Sequence, residues 1–254
     1  MADYLRLRQI CLAAPKLEPV VSDIHDIFGV EVCYRDPNVG RFGLQNALFV
    51  IGTNFLEIVS PIEPNTAGGR FIDRTKGHGG YMAIFQASDP KRRRAHAEKM
   101  GIRIAHAIDR DTYQNAQLHP RDCRATFIEF GRSTGGDDRM GTWWPAGEKW
   151  KDFVRTAETK RMLGIELESP RPNDLAAHWS KIIEAPLKME KGDPVLTLED
   201  GAIRFVEGES ECLGALVVEV TDVAKTLSRA VACGRRVEDD SFHLGGVNFR
   251  VRAA

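Results

Sequence analysis

The sequence predicts an α+β protein made of tandem βαβββ units that pair into two open barrels. Three observations carry this: a strand–helix–strand signature occurs four times, short strands follow each copy, and the first two copies end in a glutamate-bearing strand. One such unit of roughly 60 residues buries too little core to stand alone, so the units must pair. Neighbours along the chain are expected to do so, the first with the second and the third with the fourth.

The first copy, "LRLRQICLAAPKLEPVVSDIHDIFGVEVCYRD", sets Val20, Val21, Ile24, Ile27 and Phe28 at helical spacing. Gly29 supplies the left-handed residue that ends a helix. The strands "ALFVIG" and "FLEIVS" complete it. The second, "GYMAIFQASDPKRRRAHAEKMGIRIAHAID", stops its helix at Gly101 and closes with the turn "LHPRD" and the strand "ATFIEF". The third, "GIELESPRPNDLAAHWSKIIEAPLKME", has an apolar stripe of Leu175, Trp179, Ile182 and Ile183, then "PVLTLED" and "AIRFVEG". In the fourth, "ALVVEVTDVAKTLSRAVACGRRVED" ends its helix at Gly234 and leads into "FHLGG" and "VNFRVRA". Between the second and third copies, "STGGDD" reads as a polar linker, and "EKWKDFVRTAETKRML" is expected to form a connecting helix. The expected domains are residues 1–135, a Trp-rich linker at 136–162, and residues 163–254.

Hydrophobic residues make up 43% of the chain and charged residues 28%, as in ordinary globular proteins. A net charge of −1 gives no field that would favour nucleic acid or an anionic membrane. Five cysteines without CxxC spacing suit reduced thiols. The N-terminal apolar stretch is too short for a signal peptide, and no window reaches the roughly 20 apolar residues of a membrane span. A soluble cytoplasmic protein is expected, monomer or homodimer, acting on a small molecule.

The chemistry centres on two carboxylates. Glu57 lies in "NALFVIGTNFLEIVSPIEP" and Glu129 in "ATFIEF", each among bulky apolar neighbours. An isolated ionised carboxylate is costly in a core. Each glutamate therefore either points to water or faces inward because a cation or a reaction needs it. Repetition of the position in two copies favours an inward polar pocket.

This arrangement resembles the vicinal oxygen chelate superfamily, which includes glyoxalase I, methylmalonyl-CoA epimerase, extradiol dioxygenases and bleomycin-resistance proteins. "GRFGLQNALFVIGTNFLEIVSP" is similar to its glyoxalase-like branch, with the glycine-x-x-asparagine turn ending at Asn46, and "LHPRDCRATFIEF" is similar to the epimerase-like hairpin. The likeness is at the level of motifs over residues 5–131 and topological over 163–254. It implies the glyoxalase/dihydroxybiphenyl dioxygenase-like fold. It also implies a divalent metal (Ni, Zn, Mn, Fe or Mg) held by Gln9, Glu57 and Glu129, with Glu57 and Glu129 as catalytic groups. Met82 stands where the family places a histidine, and a thioether suits such ions poorly. Leu167, Arg204, Ala215 and Asn248 occupy the matching positions of the third and fourth copies and offer no comparable set. His119, His78, Asn46 and Trp144 are the expected lining of a substrate pocket, Trp144 coming from the aromatic run "TWWPAGEKW". Two functions follow: a lyase or isomerase moving a proton next to a carbonyl of a small oxygenated substrate, or a non-catalytic protein that sequesters small molecules.

Overall fold

The computed structural model describes residues 3–254. The first module contains β1 (Leu5–Ala13), α1 (Val20–Phe28), β2 (Val32–Tyr34), β3 (Leu44–Ile51) and β4 (Asn54–Pro61). β4 returns parallel to β1, β3 lies antiparallel to β4, and β2 antiparallel to β3. α2 (Ala67–Thr75) follows. The second module contains β5 (Gly80–Ala87), α3 (Pro90–Lys99), β6 (Ile104–Asp109), β7 (Tyr113–Leu118), the short α4 (Pro120–Cys123) and β8 (Phe127–Ser133). Its pairings repeat the first: β5 parallel to β8, then β8 to β7 and β7 to β6 antiparallel.

β9 (Thr159–Ser169), α5 (Pro172–Ile183), β10 (Leu187–Glu190), β11 (Asp193–Thr197) and β12 (Ala202–Glu207) form the third module. The fourth has β13 (Cys212–Val220), α6 (Val223–Ala232), β14 (Val237–Glu238), β15 (Ser241–Leu244) and β16 (Val247–Ala253). The α+β class and the fourfold βαβββ repeat are thus present as the sequence predicts. No helix of the described residues is long and apolar enough to cross a membrane.

The compact units group these modules differently from the division at residues 135 and 163. One unit comprises Gln9–Tyr81, Pro145–Leu163 and Ala215–Ala254, and so joins the first module to the fourth. The other comprises the chain through Arg8, Met82–Trp144 and Gly164–Gly214, joining the second to the third. The physical reason lies in the helices, whose stripes mark a buried face without naming its partner.

In the first-and-fourth unit, α1 packs on α6. Asp23 accepts from Arg235 Nε at 2.8 Å, and the Phe28 ring sits 5.8 Å from Phe242 and 5.5 Å from Phe249. Thr159 Oγ1 donates to the Phe28 carbonyl at 2.6 Å, satisfying a helix-end acceptor. Gly29 ends α1 at φ +65°, where an added Cβ would lie 2.6 Å from the Glu158 carboxylate that pairs with Lys225 and Arg229. In the second-and-third unit, α3 packs on α5. Buried Arg93 donates to the Ile183 carbonyl at 2.6 Å, and the Trp179 indole donates to the Cys123 carbonyl at 2.9 Å.

The expected connecting helix over "EKWKDFVRTAETKRML" does not form. A single 3₁₀ turn, Trp150–Phe153, is followed by β9 beginning at Thr159. Trp150 is only 1% exposed and packs edge-on against Phe55 with ring centroids 5.2 Å apart. Thr159 and Met162 are buried as strand residues. The charged residues between these anchors had suggested a helix, but the apolar ones are fixed by separate contacts.

Phe28→Ala should lower stability by about 3–5 kcal/mol, the usual cost of emptying a buried aromatic site. Urea denaturation checks this; a loss below about 1 kcal/mol would show that the Phe28–Phe242–Phe249 cluster is not a principal seam of its unit.

Candidate functional site

Parallel pairing of a module's first and last strands decides where the glutamates lie. Glu57 stands opposite Cys11, with Gln9 opposite Phe55 two residues earlier. Glu129 stands opposite Ile84, with Met82 opposite Phe127. The two carboxylates therefore hold equivalent register positions, and Met82 occupies the Gln9 position of its module.

Glu57, in the first-and-fourth unit, is 8% exposed. Gln9 Nε2 donates to its Oε2 at 2.8 Å, and Asn46 Nδ2 donates to its Oε1 at 2.7 Å. Asn46 is itself fixed, because its Oδ1 accepts from the Asp36 N–H at 2.8 Å. Two oriented amides compensate a carboxylate that burial would otherwise penalise. The family resemblance implies Gln9 as a metal ligand, and Asn46 is expected as pocket lining; both are donors to Glu57.

Tyr81 belongs to the same unit and packs edge-on against Phe71 of α2, with centroids 4.9 Å apart. Burial pushes its phenol pKa well above the ordinary value, and Cys11 and Glu57 push the same way. Arg70 and Arg74 pull it down without overcoming burial. The phenol therefore stays protonated across the physiological range. Sequence reading missed Tyr81, although "GGYMAI" places it one residue before Met82.

Glu129, in the second-and-third unit, is 4% exposed. Tyr113 Oη donates to its Oε1 at 3.0 Å and Gln117 Nε2 to its Oε2 at 2.8 Å. Burial raises the Glu129 pKa above the usual carboxylate range, against the opposing pull of Gln117, Asn115, Tyr113 and His106. Trp144 stacks on Tyr113 at 5.2 Å, and Trp143 meets the same ring edge-on at 6.2 Å. Trp144 thus backs the phenol that holds Glu129. Tyr113 and Gln117 also escaped the sequence reading, which followed the last strand but not β7 beside it.

The two histidines lie elsewhere. His119 caps α4, its Nδ1 accepting from the Arg121 N–H at 3.3 Å beside the Arg103–Asp122 ion pair. His78 is exposed in the turn after α2, where its carbonyl accepts from Thr75 Oγ1 at 2.8 Å. In the third and fourth modules, Leu167 and Ala215 are buried apolar residues. Arg204 pairs with Asp193, and Asn248 is bonded to His243.

As arranged within each unit, these donors do not fit a divalent ion. Both oxygens of Glu57 accept from amide N–H groups, and both of Glu129 from a phenol and an amide. Among the described residues, no three of His, Cys, Asp and Glu gather as metal ligands.

The raised pKa of Glu129 fixes a sign. A folded-state pKa above the unfolded value means the native state holds its proton more tightly. That contribution is present below the ordinary value of 4.5 and is lost as pH rises through the folded-state pKa. Glu129→Gln, which cannot ionise, should therefore gain stability relative to the parent as pH rises from 4.5. Urea midpoints from pH 4.5 to 8 test this; a constant difference between the two proteins would refute it.

A profile of the glyoxalase-like domain matches residues 10–183. Among curated proteins none matches. A hypothetical protein from Staphylococcus aureus has a similar structure, with TM-score 0.68 and 12% identity, covering 98% of this chain and 100% of its own. A Streptomyces coelicolor methylmalonyl-CoA epimerase, in complex with 2-nitronate-propionyl-CoA, has TM-score 0.45 and 22% identity over 50% of this chain and 96% of its own. A Mycobacterium tuberculosis methylmalonyl-CoA epimerase has TM-score 0.44 and 19% identity over 50% and 87%. With its fourfold βαβββ repeat and a family match spanning more than half its length, the chain belongs to the glyoxalase-like domain family.

Proposed function

We propose that the protein is an isomerase or lyase of the glyoxalase-like type, moving a proton at a carbon next to a carbonyl of a small oxygenated substrate. The observation that supports it most is the Glu57 carboxylate, buried yet held by Gln9 and Asn46 at 2.8 and 2.7 Å. Two fixed donors orient a base that need not reorganise during the reaction. Glu57 would take the C–H proton, and the bond's electron pair would move into an enolate. Tyr81, kept protonated by burial, is assigned as donor to the enolate oxygen. Return of the proton to the same or the neighbouring carbon completes an isomerisation; departure of a β-substituent instead makes the step a lyase reaction.

Glu129 has the complementary chemistry within its own unit. Burial favours its neutral form, so it is assigned as a proton donor rather than a base. No step is routed through a metal, because among the described residues no three of His, Cys, Asp and Glu gather as ligands.

Two measurements test this reading. Small ketones and β-dicarbonyl compounds with an activated C–H should exchange that hydrogen for deuterium in D₂O when the protein is present. Glu57→Gln should slow the exchange at least ~100-fold, the lower range for a lost general base. Binding without exchange across such a panel would instead identify a sequestering protein. Elemental analysis of protein soaked with nickel, zinc or manganese and then desalted should find only trace metal. Stoichiometric metal that disappears in the Glu57→Ala, Glu129→Ala double variant would overturn the metal-free assignment.

A further inference from the structure

Ten of the eleven arginines in the first-and-fourth unit divide into two groups; the eleventh, Arg250 on β16, has contacts of its own. Arg155, Arg161, Arg229, Arg235, Arg236 and Arg252 each pair with a carboxylate. Among the described residues, Arg35, Arg41, Arg70 and Arg74 form no ion pair, and all four fall between β2 and the end of α2. Glu63 and Asp73 share that stretch without pairing to any of them, and Asp36 is engaged by Asn38.

The contacts of Arg35, Arg70 and Arg74 lead toward Glu57 through Asn46, Phe71 and Tyr81. Arg35 Nη1 donates at 3.3 Å to the carbonyl of Asn46, the residue whose amide holds Glu57. α2 packs on β4, the strand that carries Glu57. Arg70 and Arg74 are one helical turn apart and so share a side of α2. Arg74 lies over the Phe71 ring at 5.6 Å, and Phe71 in turn meets Tyr81. Arg70 and Arg74 also act electrostatically on the Tyr81 phenol, as Glu57 does from its own position.

The 3₁₀ turn holding Arg41 (Pro37–Phe42) joins the same region. The Ile62 N–H bonds the Gly43 carbonyl at 2.8 Å, and a Cβ on Gly43 would lie 2.7 Å from Thr66, the N-cap of α2. Phe42 and Ile62, 50% and 54% exposed, add apolar surface beside these charges.

We infer that the molecule acted on at this site carries a carboxylate or phosphate group, held by Arg70 and Arg74 of α2, with Arg35 and Arg41 adding to the attraction. The inference rests on the proton-transfer reading of the Glu57 face and names the substrate class. Guanidiniums recognise such anions by paired hydrogen bonds, and among the described residues no carboxylate pairs with these four, although Arg70 Nη1 also donates to the Asn65 carbonyl. The anionic group would anchor one end of the substrate while its carbonyl end meets Glu57 and Tyr81.

The test uses malonate and inorganic phosphate as probes, with malonamide as the uncharged counterpart of malonate. Calorimetric titration of the full chain should detect malonate or phosphate and no malonamide. Arg70→Gln with Arg74→Gln should weaken that binding roughly 10- to 100-fold, the cost of losing charge-assisted hydrogen bonds. Arg110→Gln with Arg171→Gln, exposed positions in the other unit, should leave it unchanged. Glu57→Gln should keep the anion binding while abolishing exchange, so loss of the proton-transfer reading would leave a distinct trace. The inference is overturned if neither anion binds, if malonamide binds equally well, or if the two arginine pairs have equal effects. Melting curves confirm that each variant is folded.

Discussion

A carboxylate buried in an apolar strand must be given donors, and the βαβββ module places them on the strands beside it. β4 runs between β1 and β3, so Glu57 is within reach of an amide from each side, Gln9 on β1 and Asn46 on β3. In the second module β8 lies between β5 and β7, but Met82 on β5 cannot donate. Both donors there come from β7, Tyr113 and Gln117. The same topological position is thus satisfied from two flanks in one module and from one flank in the other. Neither carboxylate could lose its donors cheaply, since a buried acceptor left unmade costs more than a typical hydrogen bond contributes.

The two glutamates also differ in their electrostatic surroundings. Glu129 is buried enough for desolvation to outweigh its three hydrogen-bonding neighbours, and its neutral form is favoured. Glu57 acts electrostatically on Tyr81, whose burial preserves the phenol proton. An acceptor coupled to a retained donor is an arrangement suited to carrying a proton away and stabilising the oxygen left behind. The sequence marks the glutamates as equivalent because register is a property of the repeat. The base and acid roles proposed for them depend on neighbours that the repeat does not dictate.

Much of the fold was legible for the same reason. Alternation in "FLEIVS", the stop at Gly29 and the fourfold recurrence are local signals, and local signals locate strands and helix ends. Glu57 and Glu129 were found from the repeated position in the last strand of the first two copies, and Gln9 only through the family resemblance. Asn46 was found as a motif residue, though its role as an anchored donor needed the Asp36 backbone contact. Tyr113, Gln117 and Tyr81 were not found, because nothing in their own segments distinguishes a site phenol or amide from an ordinary strand residue. The stretch from Glu148 to Leu163 was misread because its apolar residues answer to contacts far along the chain, Trp150 to Phe55 and Thr159 to Phe28.

The grouping pairs each module that has a glutamate at this last-strand position with one that has an arginine there. The module with Glu57 is packed with the fourth, and the module with Glu129 with the third. By the observed register the companion's matching positions hold no carboxylate: they are Ala215 and Arg250 in one unit and Gly164 and Arg204 in the other, so Leu167 and Asn248, expected there from the sequence, lie off them. Its contribution is made on the helix side: α6 covers α1, and α5 covers α3. A sheet with a polar residue on one face still needs its helices buried on the other, and a module freed of chemistry can be optimised for that alone. The degenerate copies are therefore better understood as backing layers, each fitted to one glutamate-bearing module, than as a second site that has decayed.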